Sequence, residues 1–179
     1  PHSPGEAIGE EKANETQREA MIELLNVDCM EFLRRQPDKA FDLAIVDPPY
    51  GIGVGAMRLG KAKVRGGDWD GVAPPSEYFD ELRRVSRDQI IWGANHFRLE
   101  PSRAWIFWDK DTNGTFSDGE LAWTSFDQSL RKISLVWDGV RRCESADRIH
   151  PTQKPVALYR WLLKNYAKPG QKILDTHGG

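Results

Sequence analysis

The stretch Phe41-Asp42-Leu43-Ala44-Ile45-Val46-Asp47-Pro48-Pro49-Tyr50 decides how this chain is read. Its first six residues are an apolar run interrupted only by Asp42, the signature of a strand covered on both faces. The run ends abruptly in an acid, two prolines and an aromatic ring. Each proline fixes φ and lacks an N–H, so the segment cannot continue a sheet ladder. Rigid polar and stacking groups are thereby presented at the carboxyl edge of a sheet, where open α/β sheets bind ligands. Asp47 offers only acceptors and Tyr50 a flat face, which together suit a planar ligand carrying an amino group. Asp-Pro-Pro also makes an ordinary strand-ending turn, and the tetrapeptide alone does not separate the two.

Outward from this stretch, residues 51–71 open with Gly51-Ile52-Gly53, carry further glycines and the cations Arg58, Lys61, Lys63 and Arg65, and show no hydrophobic period. A loop of that length in a compact domain is more often functional than accidental. Upstream, Ile22–Val27 reads as a short strand and Asp28 to about Arg35 as a helix. Downstream, Ser76 caps a helix through about Arg87, with Tyr78, Phe79, Leu82 and Val85 inward. Gln89–Trp92 and Ala104–Trp108 read as buried strands, followed by Asn95-His96, taken as turn residues, and by Asp109-Lys110. Ser117-Asp118-Gly119-Glu120 has capping-box spacing and predicts a short helix through Trp123. Lys132–Asp138 is a further strand, and Gly139 to His150, with Arg141, Arg142 and Arg148, an exposed loop. Pro155 opens a helix to about Ala167, and Lys172–Asp175 is a last strand. Strands alternating with helices imply an α/β sheet with a parallel core.

Composition narrows the classes. The chain has 179 residues, enough for one domain over 21–179 after a polar extension at 1–20, with Met21 read as an original start. Its 25 basic and 27 acidic residues leave a net charge of −2, so any nucleic-acid binding must rest on a local patch. Cys29 and Cys143 have neither disulfide nor metal-site spacing and read as reduced thiols of a cytosolic protein. No apolar run approaches the roughly 18 residues needed to span a membrane.

Three motifs line up: Asn26–Leu33, the Asp47–Gly53 segment, and His150-Pro151-Thr152-Gln153-Lys154-Pro155 ahead of Ile173-Leu174-Asp175-Thr176-His177-Gly178-Gly179. Together, over roughly residues 21–179, they resemble the amino-group DNA methyltransferases that use S-adenosylmethionine, in the circular order where the catalytic motif precedes the cofactor motif. The resemblance implies an α/β, Rossmann-like methyltransferase fold, a mostly parallel sheet with helices on both faces. It implies that Asp47, the Pro48 carbonyl, Pro49 and Tyr50 receive a flipped base, the acceptors holding its exocyclic amine while Tyr50 stacks on the ring. Aspartate at position 47 favours adenine N6 over cytosine N4, where serine is commoner.

For the cofactor, the same resemblance implies Asp28 and Cys29 near the adenine and Thr152, Gln153, Lys154 and Pro155 against the methionine tail. It puts Asp175 near the amino group, with Gly178 and Gly179 in the glycine-rich turn. No metal is expected. Double-stranded DNA is the implied partner, with small target-recognition elements in 51–71 and 110–150. A homodimer is one admissible assembly, no partner nuclease is named, and a cytoplasmic, prokaryotic or phage-encoded enzyme of the restriction–modification kind is implied. The family's cofactor loop runs on past the position of Gly179, so the C-terminal part of the cofactor subdomain is expected to be missing. The alternatives are an inactive DNA-binding module or truncated fragment, or a methyltransferase for cytosine N4, RNA or a protein amide. At single positions the plainer readings are a helix cap for Asp28, a solvated charge for Lys154 and bystander thiols for Cys29 and Cys143.

Overall fold

The computed structural model describes residues 21–53, 70–112, 117–137, 143 and 152–178. The apolar run forms β1 (Phe41–Val46), and its side chains divide between two cores. Ala44 and Val46 join Ile91, Trp123 and Leu174 on one face, whereas Leu43 and Ile45 join Ile90, Trp92, Ile106 and Trp108 on the other. Both faces are withdrawn from water, which is why the strand shows no polar alternation. α1 (Cys29–Arg35) and α2 (Ser76–Val85) cover the first face through Leu33, Tyr78, Phe79, Leu82 and Val85. α3 (Val156–Tyr166) covers the second through Leu158 and Leu162.

The sheet is completed by β2 (Ser86–Trp92), β3 (Trp105–Asp109), β4 (Gly119–Thr124), β5 (Arg131–Ser134) and β6 (Ile173–Leu174), in the order β5-β3-β4-β2-β1-β6. β1 pairs in parallel with β2 and β6, and β3 in parallel with β5. β4 runs antiparallel to both of its neighbours, β2 and β3, so the sheet is mixed, with β4 alone reversed among the described strands. As a result the carboxyl ends of five strands and the amino end of β4 share one edge. Asp47, Lys110, Glu120 and Asp175 follow or begin strands on that edge.

Two expected elements do not form, and two element boundaries shift. Residues 119–124 form β4 and not a helix: Ala122 pairs with Trp92 and Ile106, and Trp123 with Ile91 and Trp105. A ladder on both sides outweighs a local capping pattern. Ile22–Val27 forms no strand; Ile22 is 84% and Leu24 85% exposed, and without a neighbouring ladder an extended segment has no partner for its amides. The strand expected over 132–138 stops at Ser134, with Trp137 buried beyond it. Ser76 is the first residue of α2, not its cap, and Pro75 holds the capping position. At the other end of α2, Arg84 donates to the Leu33 carbonyl at 2.9 Å and the Gln36 carbonyl at 2.8 Å, tying α2 to the end of α1.

Candidate active site

Beyond β1 the chain must turn without ladder hydrogen bonds, because Pro48 and Pro49 have no N–H to give. A carboxylate replaces the ladder: Asp70, 2% exposed, accepts from the Tyr50 amide at 2.6 Å and the Gly51 amide at 3.1 Å. Its own carbonyl accepts from the Gly53 amide at 3.1 Å. Gly51 adopts φ +73°, and a side chain there would meet the Ala73 nitrogen at 2.8 Å. Asp70 clamps the segment in one conformation, a role that nothing in its local sequence announces.

The clamped segment presents Asp47 and Tyr50 to a part-buried cluster of charge with Lys154 at its buried centre. The Tyr50 hydroxyl donates to Asp47 Oδ1 at 2.7 Å, and Lys154 Nζ donates to Asp47 Oδ2. Lys154 also contacts Glu120 Oε2 at 3.1 Å and donates to the Tyr50 oxygen at 3.2 Å. On the far side of Glu120, Lys110 Nζ donates to Oε1 at 2.6 Å. Two carboxylates and two ammonium groups thus form one chain, Asp47–Lys154–Glu120–Lys110. Lys154, whose side chain is 3% exposed, is no solvated charge at a helix start, and it lies against Asp47.

Burial shapes the protonation states here. It disfavours an ionised Glu120, but Lys154 and Lys110 outweigh it and hold the carboxyl down to about 2. Burial likewise disfavours the Lys154 ammonium, and Glu120 with Asp47 overcomes it, so the lysine titrates above its ordinary value. Burial and the neighbouring Asp47 push the Tyr50 phenol upward, keeping its proton in place. Asp47 therefore faces donors only.

The Tyr50 ring sits against the turn after β2. His96, in a short 3-10 turn over Ala94–His96, stacks on it with centroids 5.1 Å apart and planes 14° from parallel, and Phe97 meets it edge-on at 6.1 Å. Gly93 has φ +66°, and a side chain there would lie 2.0 Å from Tyr50 Cε1, so only glycine admits the ring.

Beside the cluster, a cavity of about 260 Å³ is lined by Cys29, Met30, Pro49, Tyr78, His177 and the 72–75 segment. Asp28 caps α1 by accepting from the Glu31 amide at 2.8 Å. Burial and then Asp28 raise the Cys29 thiol, keeping it protonated. Asp175 accepts from the His177 amide at 3.0 Å. Its burial raises its carboxyl, the His177 bond partly offsetting this. The Tyr78 hydroxyl and Thr176 Oγ1 lie 2.7 Å apart and tie α2 to the segment after β6. The lining is chiefly apolar, and its His177 is tied through its amide to Asp175, so the place suits a flat ring with a polar tail.

Of the positions read from the sequence, the structure brings together Asp47, Tyr50 and Lys154 in the cluster and Cys29 and Pro49 at the cavity. Asp175 and Gly178 lie next to each other after β6, a side chain at Gly178 coming within 3.6 Å of Asp175 Oδ2. Gln153 is held by its carbonyl, which accepts from Trp137 Nε1 at 2.8 Å, Pro155 takes the capping position of α3, and Thr152 is exposed. Gly179, His150 and the basic residues Arg58, Lys61, Lys63, Arg65, Arg141, Arg142 and Arg148 fall outside the described residues, as does most of 51–71 and 138–150. Glu120, Lys110 and Asp70 are not read as site residues from the sequence. Glu120 was hidden within the capping-box reading.

Residues 87–179 match the DNA methylase family. The chain belongs to that family, whose substrate is DNA. The matched part contains Lys110, Glu120, Lys154 and Asp175, and the Asp47–Tyr50 segment precedes it. Among the described residues no group of three or more His, Cys, Asp or Glu side chains is placed to hold a metal, and no helix is long and apolar enough to cross a membrane.

Proposed function

We propose that this chain is the catalytic domain of an S-adenosylmethionine-dependent DNA methyltransferase, acting on the exocyclic amine of a flipped base, with adenine N6 favoured over cytosine N4. In this reading the mixed sheet is a Rossmann-like methyltransferase scaffold, and the site lies at the carboxyl edge of its strands. One observation carries it. Pro49 walls the apolar cavity, while Asp47 and Tyr50, its neighbours in the same clamped segment, belong to the charged cluster. A single rigid stretch therefore borders both the place for the cofactor and the place for the amine.

Asp47 and the Pro48 carbonyl are acceptors for the two amine protons, and they turn the nitrogen lone pair toward the cavity. Tyr50 supports the base ring, and Asp175 and Cys29 border the space for the cofactor's polar tail and adenine. When bound, the cofactor would supply a methyl already activated by positive sulfur and would depart as the neutral thioether, while the proton released from the amine would pass to solvent by way of the acceptors at Asp47 and Pro48. The protein's work is alignment and charge, with little acid–base chemistry. The preference for adenine follows from aspartate at position 47, as the resemblance implies.

The test is transfer of tritiated methyl from S-adenosylmethionine to duplex DNA, followed by identification of the modified base. Asp47→Asn is expected to lower transfer by about 100-fold while the fold is kept. Full activity in that variant would remove Asp47 from the reaction, and methylcytosine as the product would replace the adenine assignment.

A further inference from the structure

We propose that Glu120 is a positioning residue for methyl transfer: it takes up the charge of Lys154, so that Asp47 keeps its negative charge for the substrate amine. The inference rests on the role of Asp47 given above. Lys154 Nζ lies among three oxygens, Asp47 Oδ2, Glu120 Oε2 at 3.1 Å and the Tyr50 oxygen at 3.2 Å. Were Glu120 neutral, the whole ammonium charge would fall on Asp47 and cancel it. The amine nitrogen gains positive charge as its new bond forms, and an uncancelled lysine close by opposes that change.

Stability alone does not account for the arrangement. Buried charges are costly, and apolar residues of similar volume commonly hold a core as well or better. Four charges are nonetheless kept here in one row ending on Asp47. Lys110 completes the row at 2.6 Å from Glu120 Oε1, orienting the carboxylate so that its other oxygen points to Lys154. Their placement comes from the β3–β4 pairing, in which Trp108 is opposite Glu120 and the Lys110 amide donates to the Asp118 carbonyl at 2.9 Å.

The experiment compares the full chain with Glu120→Gln, Lys154→Met and the double variant, in methyl transfer to duplex DNA and in calorimetric binding of S-adenosylmethionine and its neutral thioether product. Glu120→Gln is expected to lower kcat by at least about tenfold with KM for DNA changed less than about threefold. Binding of the cationic cofactor is expected to weaken at least about threefold more than that of the thioether, a difference that loss of packing would not produce. Because Glu120 acts through Lys154, the double variant is expected to stay within about threefold of Lys154→Met. This comparison stands even if Glu120→Gln alone does not fold. The proposal is overturned by a Glu120→Gln kcat within about twofold of the parent, by an unchanged ratio of cofactor to thioether affinity, or by a double variant more than about tenfold below Lys154→Met. A parent chain that neither binds the cofactor nor methylates DNA defeats the proposed function, and this inference with it. An active parent with an inactive Asp47→Asn and an unchanged Glu120→Gln defeats this inference alone.

Discussion

Lys154 and Asp47, 107 positions apart in the chain, are joined by an ion pair in which the lysine side chain is 3% exposed. The pair fastens the entry of α3 to the exit of β1, two segments on opposite sides of the long middle of the sequence. It is both a tertiary tie and part of the site, so its removal has two separable consequences.

Lys154→Met leaves Asp47 and Glu120 facing each other with Lys110 as the remaining cation of the row. Breaking a buried pair from one side costs about 3–5 kcal/mol, and the partly exposed carboxylates place this case near the lower end. Urea unfolding at neutral pH is expected to show a loss of about 3 kcal/mol, and a loss under about 1 kcal/mol would contradict the buried pairing.

Glu120 predicts an acid limb in the stability curve. Its folded-state value of about 2 lies below the ordinary 4.5, so the stability it contributes is fully present above 4.5 and is lost as pH falls through about 2. The difference corresponds to on the order of 3 kcal/mol. Acid titration of the parent and of Glu120→Gln, followed by circular dichroism, is expected to show this component in the parent only. Equal acid limbs in the two proteins would refute it.

Asp70→Ala removes the acceptor for the amides of Tyr50 and Gly51 and leaves both without their carboxylate partner. A cost of about 2 kcal/mol is expected, together with a fall in kcat as the segment carrying Asp47 loosens. Thermal unfolding and methyl transfer check the two effects, and a variant unchanged in both would show that Asp70 is no clamp.

Gly93→Ala tests the close approach of Tyr50. The φ of +66° costs about 1 kcal/mol or more for alanine, and its Cβ, placed 2.0 Å from the ring, forces the tyrosine out of position. The melting temperature is expected to fall by several degrees, on the order of 5 °C, with loss of methyl transfer. An active, equally stable Gly93→Ala would mean that the ring does not need this seat.

Much of the scaffold was readable because its signals are local. The double-faced burial of β1 shows as an unbroken apolar run, and the inward faces of α2 and α3 show as helical spacing of Tyr78, Phe79, Leu82 and Val85 and of Leu158 and Leu162. β4 was misread because the capping-box spacing at Ser117–Glu120 is also local, whereas its decisive partners, Ile90–Trp92 and Trp105–Asp109, lie elsewhere in the chain. The site divides in the same way. Asp47 and Tyr50 are marked by the prolines between them. Lys154 is buried by the rings of Trp92 and Tyr50, 5.5 and 5.7 Å away and supplied by distant segments, so its own neighbours in sequence show only a charge before a helix. Asp70 acts 20 positions from Tyr50, and Glu120 acts on the site only because its strand is reversed.

The reversal of β4 also bears on where the row of charge is anchored. Lys110 and Glu120 stand at the two roots of one hairpin, held by the pairing of Asp109 with Gly119 and of Trp108 with Glu120. The register of the two strands itself sets the positions of both charges. The chemistry of the row is thereby tied to the strands, and not to the turn that joins them.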